Sequence, residues 1–258
     1  MRSLTILFFL SAILAAACSD NAAPESRLCA PEDEVDGKCV GATTETLCAN
    51  APCTTGTSCD SITTVGDQPS LEAALSSAQP GSCVALKPGN YDSATVPAGV
   101  KLLGNGYGST TVGLVITQGG QTTTLSVLVR GITTHQLYAA IPTEAEQIKV
   151  VDGAHIDPTN DKSDIVAVAA SSGVSLKLTD VTIEDSTGYG VLATDATALE
   201  LTRVNVRRNQ QVGVWFSAPT AVTARTLFKQ TSIALPFMTM VGTGWCCSER
   251  RATSKRSM

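Results

Sequence analysis

The sequence predicts an all-β chain wound as a solenoid of stacked parallel strands. Three observations carry that prediction. Aromatic residues make up 4% and charged residues 16% of the 258, while Thr, Val, Ala, Leu and Gly abound. Short strands suit this composition better than a helical bundle, which needs Glu, Lys and Leu at helical spacing. Apolar positions recur: Leu176, Leu178, Val181, Ile183 and Val191 return 23 residues later as Leu199, Leu201, Val204, Val206 and Val214, and the next step reaches Val222, Ala224 and Leu227. Charged positions recur with their sign inverted, Lys177, Asp180, Glu184 and Asp185 being followed at the same distance by Glu200, Arg203, Arg207 and Arg208. A period in the low twenties with alternating apolar residues is one solenoid coil. Residues one period apart then lie about 4.8 Å apart on neighbouring rungs. Opposite charges there form a ladder, worth about 0.2–1 kcal/mol per exposed pair.

Taken in order, the chain opens with a targeting segment, residues 1–17. Arg2 supplies a positive start, Leu4 to Leu14 an apolar run, and Ala15, Ala16 and Ala17 a small-residue end before Cys18. The apolar run is short for a transmembrane helix. This stretch resembles a bacterial lipoprotein lipobox, which implies lipidation of Cys18; Ala15-x-Ala17 also fits ordinary secretory cleavage. Ser19, with no Asp in that place, is similar to lipoproteins sent on to the outer membrane.

Residues 18–64 read as a lipidated linker and a small module. Cys29, Cys39, Cys48, Cys53, Cys59 and Cys83 are six cysteines at close spacing, an even set once Cys18 is set aside and Cys246-Cys247 counted apart. In an exported chain such a set reads as a disulfide framework, whose 15 possible pairings spacing cannot resolve. A zinc site is disfavoured, because the window holds neither C-x-x-C nor His. With few large apolar residues, the module needs cross-links to fold. Its expected role is a spacer and cap, the alternative being a binding knob.

The solenoid is expected over residues 65–234. It starts with a short helix in which Ser70 is the expected N-cap, Glu72 lies in the first turn, and Leu71, Ala74, Leu75 and Ala78 form one apolar face. Pro80-Gly81 ends it, and "CVALKPGNY" alternates as a strand up to a turn at Pro88-Gly89. Gly81 to Tyr91 and Val100 to Gly106 resemble the first coils of the right-handed parallel β-helix, or pectate-lyase-like, superfamily, a resemblance that extends from Leu71 to Leu227. It implies a single-stranded, right-handed parallel β-helix with an N-terminal capping helix. A fold of this kind carries no activity by itself. Earlier coils are spaced unevenly, with Val129 to Val150 at 21 and Val150 to Leu178 at 28; this places a five-residue insertion at "DPTNDKSD".

Candidate site residues follow from that frame. The resemblance implies acids for calcium and a basic Arg on the outer face of the coils, an inventory that Asp180, Glu184, Asp185, Arg203 and Arg207 supply, with Arg208 beside them. Mutual ladder pairing explains the same residues without catalysis and makes the acids poorer calcium ligands, and no catalytic residue is assigned. Asp157, Asn160, Asp161 and Asp164 form an acidic loop able to hold calcium, although EF-hand spacing is absent. His135 and His155 have no Ser or Cys motif for a hydrolase triad. If Val214 points inward, Trp215 points outward, available to stack on a sugar or to pack on Leu192.

The net charge is −5, and no basic stripe precedes the last nine residues, which argues against a nucleic-acid partner. Nucleotide and dinucleotide motifs are absent. Residues 235–258 hold three of the four Met residues, Cys246-Cys247 and a basic end, so the repeat is expected to stop in mid-coil near Phe228. A frameshifted or truncated end and an irregular cap both fit. The expected function is that of an outer-membrane or cell-surface lipoprotein, anchored through its lipid. Its β-helix contacts carbohydrate or envelope without catalysis and without a required cofactor. The alternatives are a polysaccharide lyase, a soluble secreted or periplasmic protein, and a fragment of a longer β-helix.

Overall fold

The computed structural model describes residues 56–119, 124–151, 166–194 and 196–216, and the strands at 34–35, 38–39, 221–225 and 229–231. An antiparallel pair, β1 (Glu34–Val35) and β2 (Lys38–Cys39), precedes the main body. β3 (Ile62–Val65) leads into α1 (Gln68–Ser77). Three coils of one short and one long strand follow: β4 (Cys83–Leu86) with β5 (Gly89–Pro97), β6 (Lys101–Leu103) with β7 (Thr110–Gln118), and β8 (Val127–Arg130) with β9 (Thr133–Ala139). Later coils have three strands: β10 (Thr143–Glu146), β11 (Lys149–Val151) and β12 (Val166–Ala170); then β13 (Ser175–Thr179), β14 (Thr182–Glu184) and β15 (Tyr189–Ala193); then β16 (Ala198–Thr202), β17 (Asn205–Arg207) and β18 (Val214–Phe216). β19 (Ala221–Arg225) and β20 (Lys229–Thr231) continue the stack.

All the coil strands pair in parallel. One sheet runs β3-β4-β6-β8-β10-β13-β16-β19. The other begins β5-β7-β9 and then forks. Thr133 and Thr134 at the start of β9 pair with β11, and Leu137 to Ala139 at its end pair with β12. One branch then runs β11-β14-β17-β20 and the other β12-β15-β18. The long strand of the early coils thus becomes two strands around a corner. This is consistent with a parallel β-helix or solenoid-like fold.

The predicted register holds in the later coils. Leu176 pairs with Leu199, Ile183 with Val206, Val191 with Val214 and Leu199 with Val222. Two expectations need correction. Val129 is stacked not on Val150 but on Ala145, and Ala145 in turn is stacked on Leu178. The first of these coils is short because β9 passes through without a corner. The second is longer than a five-residue insertion predicts, because residues 152–165 join β11 to β12 where only residues 185–188 join β14 to β15. The repeat also does not stop near Phe228: within the expected limit of residue 234, β20 pairs with β17, with Lys229 opposite Asn205.

The helix cap is the next correction. Asp67, not Ser70, is the N-cap, its carboxylate accepting from the Ser70 backbone N–H at 2.8 Å. Pro69 in the first turn needs no N–H partner, so the helix starts earlier than the Ser suggests. The predicted apolar face is real: Leu71 and Leu75 are buried, and Ala74 and Ala78 pack beside them.

Inward-facing Val, Leu, Ile and Ala from both sheets make one core running the length of the stack. Backbone geometry repeats with it. Gly131, Gln147, Asp180 and Arg203 occupy equivalent corners on successive coils, all with positive φ between 50° and 68°. The N–H groups of the first three donate to Glu146, Thr179 and Thr202 on the next coil at 3.2, 3.1 and 3.0 Å. Three of these four are not glycine, and a left-handed non-glycine residue costs about 1 kcal/mol or more. The inter-coil hydrogen bonds offset part of that. Gly190 has a different reason to be glycine: a Cβ there would meet Gly213 O at 2.5 Å and Val206 Cγ1 at 2.8 Å. Close to it lies Asn209, whose Oδ1 accepts from the Ser186 N–H at 3.0 Å.

Candidate functional site

The corners that take up left-handed backbone also carry the charge ladder. Asp180 and Arg203 each begin such a corner, as do Asp185 and Arg208 (φ 61° and 55°). Stacking sets acid over base. Arg203 Nε and Nη2 donate to the two carboxylate oxygens of Asp180 at 2.5 and 2.7 Å. Arg208 holds Asp185 in the same bidentate way, at 2.7 and 2.8 Å.

Glu184 is the centre of the cluster. Its Oε2 accepts from Arg207 Nε at 2.7 Å and Arg208 Nη2 at 2.8 Å, and Lys149 Nζ lies 2.5 Å from Oε1. The Glu184 and Arg207 side chains are only 4% and 11% exposed, so this rung is buried rather than solvent-facing as the sequence suggested. Burial alone would push the Glu184 carboxyl up; hydrogen bonds from Lys149 and Arg207, and their charges, outweigh it and hold the group below its ordinary value. Asp185 is likewise lowered, chiefly by its bond from Arg208. Arg203 and Arg208 are raised above the ordinary guanidinium value by bonding to Asp180 and Asp185. A guanidinium held more firmly protonated is a poorer general base. The acids, their lone pairs already facing cations, are poor calcium ligands. Among the described residues, no group of three or more His, Cys, Asp or Glu is placed to hold a metal ion.

Sequence reasoning missed Lys149 in this cluster. It lies diagonally from Glu184, and the longer register that brings it there was hidden by the inserted segment. Lys177 is aligned with Glu200 as expected, and also with Glu144, to which it bridges at 3.6 Å. Arg130 and Glu146 form a further opposite-charge rung, bonded through Arg130 Nε at 2.9 Å.

A second feature lies on the outer face of the other branch. Ile116, Tyr138, Ala169, Leu192 and Trp215 stack one above another through β7, β9, β12, β15 and β18. Tyr138 is 8% exposed and its hydroxyl shares a 2.6 Å hydrogen bond with Ser171; Trp215, at the far end, is 46% exposed. Trp215 is therefore the rung above Leu192, and much of its surface still faces outward. A shallow groove of about 500 Å³ lies between α1 and the sheet, lined by Leu75, Ala78, Ser93, Thr95 and Gln118 with Glu72 at its edge. Glu72 is already held there by Gln68 Nε2 at 2.8 Å.

Of the six cysteines read as a framework, Cys59 and Cys83 form a disulfide. The side chains of Cys29, Cys39, Cys48 and Cys53 lie outside the described residues, as do Cys18, His155, the acidic loop of Asp157, Asn160, Asp161 and Asp164, and residues 235–258. His135 Nδ1 lies 3.1 Å from the Val151 carbonyl oxygen. No helix among the described residues is long and apolar enough to cross a membrane. No family model matches the chain, and neither a curated protein nor a solved structure gives a match.

Proposed function

We propose that this chain is an exported, lipid-anchored surface protein whose solenoid is a non-catalytic module contacting carbohydrate of the envelope or its surroundings. The observation that carries the reading is Trp215, a large aromatic ring left 46% exposed at the end of an outer stack. An indole face of this kind stacks on the apolar face of a sugar ring. The charged cluster supports the non-catalytic part, because its acids and bases are bonded to one another. The coils are read as right-handed and pectate-lyase-like in their winding. Parallel strands joined by crossovers in one sheet take that hand in nearly all proteins. Anchoring through Cys18 with the three acyl chains that the resemblance to bacterial lipoproteins implies would exceed the two signals that stable membrane attachment needs.

Three measurements test this. Binding to immobilised neutral and acidic polysaccharides should fall at least tenfold in Trp215→Ala without loss of folded signal; equal binding by the variant sinks the carbohydrate reading. Turnover of a polyuronate, abolished by Arg203 or Arg207 substitution, would replace it with a lyase. Labelled fatty acid should enter the wild type and not Cys18→Ser, which should move to the soluble fraction; an unlabelled, soluble wild type leaves plain secretion.

A further inference from the structure

Residues 56–60 cross the first sheet on its outside, against the direction of the coils. Cys59 is bonded to Cys83 at the start of β4. Ser58 O, one residue back, accepts from Lys101 Nζ on β6. Thr57 Oγ1, one further back, accepts from Arg130 Nη1 on β8 at 2.7 Å. Each step toward the N-terminus thus moves one coil along the stack. Val84, Leu86 and Leu102 belong to the core, so Cys83, Ala85 and Leu103, which alternate with them, face outward; all three are nevertheless fully buried. At the other end of the crossing, the Asp60 N–H donates to Gly81 O at 3.0 Å, and a Cβ on Gly81 would collide with the Asp60 carboxylate.

We propose that residues 56–60 are a tension strap, which delivers a pull on the N-terminal segment to β4, β6 and β8 and shields β3 and α1 from it. The disulfide closes a loop between positions 59 and 83, and that loop contains the whole of β3 and α1. β3 is the terminal strand of its sheet, paired on one side only by β4 among the described residues, with Ile62 53% exposed. Without the bridge, a pull on the N-terminus that breaks the Lys101 and Arg130 contacts would load this strand next and peel it from the stack. With it, the force bypasses the loop and spreads over three coils through a covalent bond and two cationic side chains. The biological use of the strap rests on the proposed anchor at Cys18; its mechanics do not.

The test is single-molecule pulling of the full chain held at its two ends. Wild type should show no release of the bridged loop. Cys59→Ala/Cys83→Ala should add a separate first step of about 80 Å, from a sequence separation of 24 at roughly 3.4 Å per residue, at lower force than any wild-type event. The double variant must retain the wild-type circular dichroism for that comparison. Lys101→Ala/Arg130→Ala, which keeps the bridge, should lower the first rupture force without adding the loop-release step. The inference is overturned if the cysteine variant yields at wild-type force with no separate first step, or if the cation variant ruptures as wild type does. Failure of fatty-acid labelling would remove the anchor and leave these outcomes unchanged.

Discussion

Glu184→Gln removes one charge from the most buried rung of the ladder and leaves its shape intact. Lys149, Arg207 and Arg208 would then converge on a neutral amide, whose N–H groups cannot serve cations. Breaking a buried pair costs roughly 3–5 kcal/mol, and the retained amide oxygen argues for the lower end, about 3 kcal/mol. For a domain of this size that is a fall in melting temperature of about 6–12 °C. The pH dependence is a second signature. The folded-state pKa of Glu184 is depressed, so its stabilisation is complete above the unfolded value and is lost as pH falls through the folded one. The gap between wild type and Glu184→Gln should be full at pH 7 and close on acidification. Chemical denaturation of both proteins from pH 7 downward measures it. A variant within about 0.5 kcal/mol of wild type at pH 7, the ordinary range for a surface substitution, would refute the buried-carboxylate reasoning.

Three further outcomes are expected. Asp180→Arg and Arg203→Asp should each destabilise the solenoid, and the double reversal should recover about 1 kcal/mol in a cycle that shrinks at high salt, because this pair is more exposed than Glu184–Arg207; additive, salt-independent values would mean the pair does not couple. Gly190→Ala should cost about 2 kcal/mol by thermal melting, since its methyl must displace Gly213 backbone and Val206, and a neutral result would show that the corner relaxes freely. Trp215→Ala should leave the melting temperature within a degree or two of wild type while reducing polysaccharide binding; a large stability loss would make Trp215 a packing residue first.

The later coils were legible because two independent patterns, apolar and charged, share one spacing. Leu176 to Leu199 and Asp180 to Arg203 lie on the same rungs, so each checks the other. Earlier coils offered only the apolar pattern, and that pattern is ambiguous in a solenoid. Val129 and Val150 both point into the core, but one belongs to each sheet, so aligning them joins unlike positions. Burial of Glu184 was not legible either: alternation places it on the outer face, and only the convergence of Lys149, Arg207 and Arg208 shows how a carboxylate is kept there. The strap was invisible for a plainer reason. Thr57, Ser58, Lys101 and Arg130 carry no shared spacing, and the cysteine pattern allowed many partners for Cys59.

The alternation of charge from one coil to the next limits how such a stack can lengthen by duplication. Copying a single coil in place would set Asp180 beside a second Asp180, and Glu184 beside a second Glu184, at the short spacing of adjacent strands. Copying two coils together would set each new acid beside an Arg and leave every junction attractive. The repeat seen in the apolar residues is one coil, whereas the repeat that electrostatics permits is two. A longer relative built from these rungs should therefore gain coils in even numbers, or show a charge reversal at every odd addition.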